Sequence, residues 1–118
     1  MTDRIKVTCE MEITLKVIGG KWKPLILHYL QEEGPKRYSE ILHFLEKAPK
    51  KTLTNQLREL EEDGVIARKV YPTAPVQVEY SVTEHGKTLY PILEMMCEWG
   101  SRNEGNRYEI TNRQCCGE

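Results

Sequence analysis

The segment KKTLTNQLRELEEDGVI, from residue 50 to residue 66, constrains the fold of this chain more than any other. Leu53, Leu57 and Leu60 recur at helical spacing, so they predict one buried stripe on an amphipathic helix. We therefore predict a helix over Lys51–Asp63. The polar residues between the leucines then form its outward face.

Charge is segregated along the axis of this predicted helix. Four basic residues and no acid occur from Lys47 to Arg58, whereas four acids and no base occur from Glu59 to Asp63. The net charge of the 118-residue chain is only −1. Such a near-neutral total is compatible with a basic surface on one side of the protein and an acidic surface on the other. This polarity indicates that the first half of the helix contacts a negatively charged partner, although a merely solvated helix face would show a similar pattern.

Three shorter helices and two strands surround this segment. The strands are predicted from VIARKVY (residues 65–71) and VQVEYSV (residues 76–82), which are joined by the extended loop PTAP. The helices are predicted from apolar residues at helical spacing over Glu10–Ile18, Trp22–Glu32 and Ser39–Leu45.

The end of the chain completes the order of elements. Thr83 is predicted to cap a last, long helix that reaches about Gly100, with Pro91 as a local irregularity or kink. Four helices, a hairpin and a further helix are the arrangement of a winged helix-turn-helix. We therefore expect a mainly α fold with a small β-hairpin wing, formed as one domain over residues 1–118 with a loose polar tail over residues 101–118.

In a winged helix-turn-helix, the helix over Lys51–Asp63 would enter the major groove of DNA. Basic side chains can meet phosphates, and Asn, Gln and Arg side chains can hydrogen-bond base edges. The candidate DNA-binding residues lie on this helix, on the first wing strand and before the third helix: Lys50, Lys51, Thr52, Thr54, Asn55, Gln56, Arg58, Arg68, Lys69, Lys36 and Arg37.

The sequence contains no constellation for catalysis or metal binding. His28 and His43 have no triad partners, and no CxxC pair is present, so we expect no enzyme activity, no metal and no cofactor. No apolar run reaches the roughly 20 residues of a membrane-spanning helix, and the N-terminus lacks the apolar core of a signal peptide. We therefore expect a cytoplasmic protein without membrane contact, in which the cysteines are thiols.

Four segments resemble the HxlR-type family of small bacterial winged-helix regulators, which are relatives of the MarR type. The matching segments are VIGGKWKPLIL, LTNQLRELEEDGVIARKVYP, VEYSVTEHG and the tryptophan of CEWG, and they run from about Cys9 to Gly100. The resemblance implies a homodimer, with helical dimerisation elements at both ends of the chain, that binds a pseudo-palindromic operator in double-stranded DNA. Family members commonly have a serine-type cap where this chain has Pro49. We interpret Pro49 as the first helical position, which leaves Ala48 as a poor cap, and the roles of Lys50 and Lys51 depend on how this end of the helix begins.

The implied dimer interface consists of apolar residues on the first and last helices: Met11, Leu15, Leu89, Ile92, Leu93, Met96 and Trp99. Trp22 and Trp99 are expected to pack in the core or the dimer rather than to stack on a ligand. A small-molecule effector site between the dimer helices and the DNA-binding part is compatible with this arrangement, but no residue set specifies its ligand.

The family often carries a cysteine just before the first helix, where it senses oxidants or electrophiles in several members, and Cys9 occupies that position. A helix N-terminus, with Arg4 and Lys6 close in sequence, favours a thiolate there. The candidate partner thiols are Cys115 and Cys116 of the other subunit. The alternative is that Cys9 is only a small apolar residue at a helix start.

The sequence therefore predicts a DNA-binding transcriptional regulator. A repressor is expected rather than an activator, because a small dimer can occlude a promoter without further contacts. The alternative is a winged-helix scaffold for protein interactions that does not bind DNA. The basic start of the recognition helix counts against a scaffold, which has no need of Lys51, Asn55 and Arg58 together.

Overall fold

The computed structural model describes residues 4–111 of the chain. The bounds of the first helix agree with the prediction, and those of the next three helices differ by one residue at each end. None of the helices within residues 4–111 is long and apolar enough to cross a membrane. The elements, in chain order, are α1 (Glu10–Ile18), α2 (Lys23–Glu33), β1 (Lys36–Arg37), α3 (Tyr38–Phe44), α4 (Lys50–Glu62), β2 (Ile66–Tyr71), β3 (Gln77–Val82), α5 (Glu84–Lys87) and α6 (Tyr90–Arg102).

The leucine stripe of α4 belongs to the core. Leu53, Leu57 and Leu60 are each at most 1% exposed, as the spacing predicts. Full burial of one such side chain contributes roughly 1.5–3 kcal/mol, so the stripe fixes which face of α4 points outward. The other core residues are Ile18, Ile26, Leu27, Leu30, Ile41, Leu45, Ala48, Val65, Ile66, Tyr80 and Leu93.

The sheet is larger than the predicted hairpin. It has three antiparallel strands in the order β1-β3-β2, because β1 pairs Lys36 with Tyr80 and Arg37 with Glu79. A strand of two residues has no alternation of apolar and polar positions, so the sequence pattern carries no sign of it. The extra strand holds the start of α3 against the wing, which consists of β2, β3 and the loop between them.

The prediction of one long helix after Thr83 is wrong, because the chain forms two helices there. The short α5 ends at Lys87, and α6 begins at Tyr90 with Pro91 in its first turn. A proline inside a continuous helix would clash with the carbonyl group four residues earlier, whereas the first turn needs no donor at that position. Pro91 therefore starts a new helix rather than kinking a long one.

Thr83 connects the end of α4 to the start of α5. Its hydroxyl oxygen accepts from the Gly86 N–H at 2.9 Å, which confirms the predicted cap, and its hydroxyl donates to the Gly64 carbonyl oxygen at 2.7 Å. The Thr83 N–H donates to the Val65 carbonyl oxygen at 3.1 Å. These bonds fix the wing and the C-terminal helices relative to α4.

Candidate DNA-binding surface

The outward face of α4 carries most of the predicted DNA-binding residues. Because the leucine stripe is buried, Lys50, Lys51, Asn55 and Arg58 are exposed together, as is Thr54. Thr52 and Gln56 are half-buried at the border between this face and the core. The sequence interpretation of α4 is therefore confirmed in its geometry: apolar positions inward, basic and amide positions outward.

The start of α4 has no side-chain cap of its own. Pro49 occupies the N-cap position, whereas the sequence placed it at the first helical position, and its carbonyl oxygen accepts from the Leu53 N–H at 2.9 Å. The backbone N–H groups of the first turn have no intrahelical acceptor, and the helix dipole favours negative charge at this end. With Lys50 and Lys51 beside it, this end of α4 suits a phosphate group.

Tyr38, at the start of α3, holds the start of α4 in place. Its hydroxyl donates to the Lys50 carbonyl oxygen at 3.2 Å and lies 3.2 Å from the Thr54 hydroxyl oxygen, from which it can accept. This contact between the two helices of the helix-turn-helix was missed by sequence reasoning. It also means that the Thr54 hydroxyl already has a protein partner.

The cations on this surface have no ion-pair partner in the part of the chain that the structure describes. The four ion pairs found there involve Lys23, His28, Lys87 and Arg102, and none uses a basic residue from the outward face of α4 or from β2. An unpaired surface cation is available to a phosphate without first breaking a protein contact. The exposed cations of this kind are Lys50, Lys51, Arg58, Arg37, Arg68 and Lys69.

The acidic end of α4 is partly neutralised from inside the protein. Lys23 of α2 is only 6% exposed, and its ammonium nitrogen lies 2.7 Å from Glu59 Oε1. Lys23 is therefore a structural residue that binds α2 to α4. The sequence offered a basic residue at this position but no sign of its burial.

The wing presents its two predicted cations on opposite sides. Arg68 lies opposite Tyr80 in the register of β2 with β3, and Lys69 lies opposite Glu79. Successive side chains of a strand point to opposite faces, so the two cations flank the wing rather than share one surface. The Lys69 ammonium also lies 4.9 Å from the centre of the Tyr71 ring. A wing inserted into a groove would bring one cation toward each wall.

Lys36 and Arg37 differ in how available they are. Lys36 is half-buried, and its ammonium lies 5.8 Å from the centre of the Tyr29 ring, a cation–π contact. Arg37 is exposed, and its backbone N–H donates to Glu40 Oε1 at 2.9 Å at the start of α3. Arg37 is thus the better placed of the two for a phosphate contact.

Cys9 is a free, exposed thiol at the N-cap of α1. Arg4 and Lys6 precede it, but Glu10 and Glu12 follow it in the first helical turn, so the charge around the sulfur atom is mixed. Cys97 is disulfide-bonded, so the expectation that the cysteines are thiols is wrong for this residue. Cys115 and Cys116 lie outside the described residues.

The predicted dimer residues divide into exposed and buried ones. Leu93 is 4% exposed and belongs to the core of its own chain, and Leu89 packs against that core, so neither offers much surface to a partner. The exposed members of the set are Met11, Leu15, Ile92, Met96 and Trp99, and Trp99 is 69% exposed. For these five the interface assignment stays a prediction.

A helix-turn-helix with an outward cationic face and a flanking wing defines a winged-helix DNA-binding protein. The sequence profile of the HxlR-like helix-turn-helix family matches residues 17–108, and the chain belongs to this family. Family and relatives identify it as a transcriptional regulator and not an enzyme.

Individual relatives agree with this assignment. An HTH-type transcriptional regulator of Halalkalibacterium halodurans is 50% identical over 93 residues, which are 79% of this chain and 82% of that protein. The structure of the HTH-type regulator YtcD is 49% identical, with a TM-score of 0.78 over 85% of this chain and 100% of that one. The redox regulator HypR in its oxidised form is 47% identical, with a TM-score of 0.77 over 80% of this chain and 97% of that one.

Proposed function

We propose that this chain acts as a homodimeric repressor that inserts α4 into the major groove of a pseudo-palindromic operator. The observation that carries the proposal is the outward face of α4, where Lys50, Lys51, Asn55 and Arg58 are exposed together and the cations have no ion-pair partner in residues 4–111. A solvated helix face does not require unpaired cations and an amide to lie together between Lys50 and Arg58 of one helix.

Each residue type has a distinct role in this proposal. Lys50, Lys51 and the open first turn of α4 bind phosphates and set the register of the helix on the duplex. Asn55 and Arg58 extend from the outward face of α4 into the groove, where they read base edges. Arg68 and Lys69 bind the phosphate backbone of the flanking DNA and so hold the wing against it.

Dimerisation is supported by the exposed apolar residues on α1 and α6. Met11, Leu15, Met96 and Trp99 are each more than 45% exposed. Large apolar side chains concentrated on two helices of a small domain are typical of a surface that another protein covers. A second copy of the chain on this surface would present two recognition helices to DNA.

The test is an anisotropy titration of labelled duplex from the promoter region beside the gene, with unlabelled competitor DNA. We expect competitor-resistant binding of one dimer per site, lost in Asn55→Ala and retained in Glu62→Gln, which alters an exposed acid at the far end of the same helix. Failure to bind any sequence in a genome-wide selection would reject the regulator in favour of a scaffold. Transcription in vitro with and without the protein separates repression from activation.

We propose further that Cys9 makes DNA binding sensitive to thiol oxidation. The proposal is supported by the exposed, free sulfur at the start of α1 and by the similarity to HypR, which is named a redox regulator. An oxidant such as diamide would take two electrons and two protons from Cys9 and a second thiol, for which Cys115 or Cys116 of the partner chain is the candidate. We expect a DTT-reversible dimer on non-reducing gels and altered DNA affinity, both absent in Cys9→Ser. An unchanged response in Cys9→Ser would remove the residue from the mechanism.

A further inference from the structure

A cluster of metal-ligating side chains lies between α2 and α6, away from the DNA-binding surface. His28 and Glu32 are one helical turn apart on α2, and Glu94 reaches them from α6. One ligand atom from each of the three residues lies within 4.8 Å of the others, and His28 Nε2 is 2.6 Å from Glu94 Oε2. An imidazole and two carboxylates thus converge from elements that the sequence separates widely.

The cluster carries an excess of negative charge. Neither Glu32 nor Glu94 forms an ion pair with a lysine or arginine in the described part of the chain. His28 is the only basic partner there, and it is 4% exposed. Two carboxylates around one buried imidazole therefore retain at least one uncompensated negative charge, which a cation would neutralise.

We propose that His28, Glu32 and Glu94 form a binding site for a divalent transition-metal cation of the zinc type. One imidazole nitrogen and two carboxylate oxygens are a donor set that such ions accept, with water in the remaining position. Bonds of about 2.0–2.2 Å place tetrahedral ligand atoms roughly 3.4 Å apart. The 2.6 Å distance between His28 Nε2 and Glu94 Oε2 therefore opens by about 0.8 Å, and the Glu32 oxygen, which lies up to 4.8 Å away, closes in by at most about 1.4 Å.

Residues around the cluster supply an outer shell for the proposed ligands. The Tyr90 hydroxyl donates to Glu32 Oε2, and this hydrogen bond raises the pKa of Tyr90 above its ordinary value. Through this hydrogen bond Tyr90 orients the Glu32 carboxylate. Its ring stacks on that of His28 at a centroid distance of 5.8 Å, which fixes the plane of the imidazole.

Coordination through Nε2 requires the proton of His28 to sit on Nδ1. Within the described residues, His28 Nδ1 and Gln31 Oε1 are the buried side-chain polar atoms without a hydrogen-bond partner. Residues three apart on a helix are surface neighbours, so the Gln31 amide oxygen, which does not bond to Nδ1 in this structure, would accept from the Nδ1–H after a rotation of its side chain. Metal binding would thus give both unpartnered atoms a role, in the manner of the outer shell found around ligating histidines.

The test is a titration of the full, tag-free chain with cobalt(II) as a visible-absorbing probe, followed by displacement with zinc(II). We expect one equivalent per chain, and an affinity at least tenfold lower in Glu32→Gln and in Glu94→Gln. Glu33→Gln, which alters the exposed neighbour of Glu32, should bind as the parent does. Because cobalt bound to cysteine gives an intense thiolate-to-metal band in the near ultraviolet, its absence is part of the expected result.

His28→Gln alters a buried residue, so its folding is checked by circular dichroism, and the two carboxylate variants carry the test if it does not fold. Unchanged binding in both carboxylate variants, binding accompanied only by a thiolate band, or no binding to the folded parent would each overturn the proposal. The absorption measurement contains no DNA, so it is independent of whether the chain binds an operator.

Discussion

The hydroxyl of Tyr38, in the first turn of α3, donates to the backbone carbonyl oxygen of Lys50, in the first turn of α4, at 3.2 Å. This bond joins the two helices of the helix-turn-helix at the end that the proposed function turns toward DNA. Since Pro49 gives α4 no side-chain cap, Tyr38 is the side chain that orients this end of the helix.

Tyr38→Phe removes this hydroxyl and keeps the ring. We expect the free energy of unfolding to fall by about 0.5–1.5 kcal/mol, the usual net contribution of one hydrogen bond. DNA affinity should fall as well, because Lys50 and Lys51 lose a fixed backbone position. Urea denaturation and anisotropy titration measure the two effects. A loss of stability without any loss of affinity would show that the proposed phosphate contacts do not depend on this bond.

Lys51→Gln tests the proposed phosphate contact through the salt dependence of binding. The slope of log K against log salt changes by about 0.9 per phosphate contact, so a homodimer that loses two contacts should show a slope smaller by about 1.8. The loss of affinity should be similar on operator and on random DNA, because phosphates carry no sequence information. Lys87→Gln is the charge-matched control, since Lys87 lies on α5 and already pairs with Glu84 at 2.9 Å.

Arg58→Ala should behave differently from Lys51→Gln. A side chain that reads a base edge contributes about 1–3 kcal/mol to discrimination at one position of the site. We therefore expect a weaker operator complex, little change on random DNA, and relaxed selection at one position of each half-site. Equal losses of affinity on operator and on random DNA would indicate that Arg58 contacts phosphates rather than a base edge.

Periodicity predicted α4 and its outward face well, because the leucine spacing decides both. It did not predict the break between α5 and α6, since residues 84–88 contain no apolar residue whose spacing could mark it. The burial of Lys23 could not be predicted either, because the sequence does not distinguish a lysine whose ammonium is solvated from one whose ammonium pairs with Glu59. The cluster of His28 with Glu94 joins residues 66 positions apart, and only the packing of α2 on α6 reveals it.

The ion pair between Lys23 and Glu59 predicts an asymmetric response to substitution. Glu59→Gln leaves a buried ammonium without its counter-charge, so we expect the free energy of unfolding to fall by about 1–3 kcal/mol. The loss is limited because the Glu59 side chain is 52% exposed, and solvent screens its charge. Lys23→Met removes the charge but keeps an apolar stem in the same space, so its loss should be smaller. Chemical denaturation compares both with Glu62→Gln. If Lys23→Met were less stable than Glu59→Gln, the attraction between Lys23 and Glu59 would exceed the desolvation cost of burying the lysine.

Trp99→Ser tests the proposed dimer surface on α6. The indole is exposed in the single chain, so its removal should cost the fold little while taking a large apolar area from the interface. We expect sedimentation velocity to show a weaker dimer, which is half dissociated at a higher protein concentration than the parent dimer. Val76→Ser, which removes an exposed apolar side chain from the wing loop, should leave the dimer unchanged. A Trp99→Ser dimer as tight as the parent would move the interface elsewhere.

Two glycines should respond in opposite directions to the addition of one methyl group. A Cβ atom at Gly86 would lie 2.1 Å from the Val65 carbonyl oxygen and 2.8 Å from Val82 Cγ1, so the backbone at the start of α5 would have to move. That shift would also disturb the cap that Thr83 forms there, and we expect Gly86→Ala to lower the free energy of unfolding by about 1–3 kcal/mol.

Gly100, within α6, has no such neighbour: nothing in the described part of the chain lies within 4 Å of a Cβ atom built there. Glycine in a helix is less favourable than alanine by roughly 0.5–1 kcal/mol, so Gly100→Ala should stabilise the chain by a similar amount. Urea denaturation of both variants beside the parent measures the two signs. If Gly86→Ala were as stable as Gly100→Ala, the close packing of α5 against Val65 and the end of β3 would be wrong, and with it the fixed position of the wing.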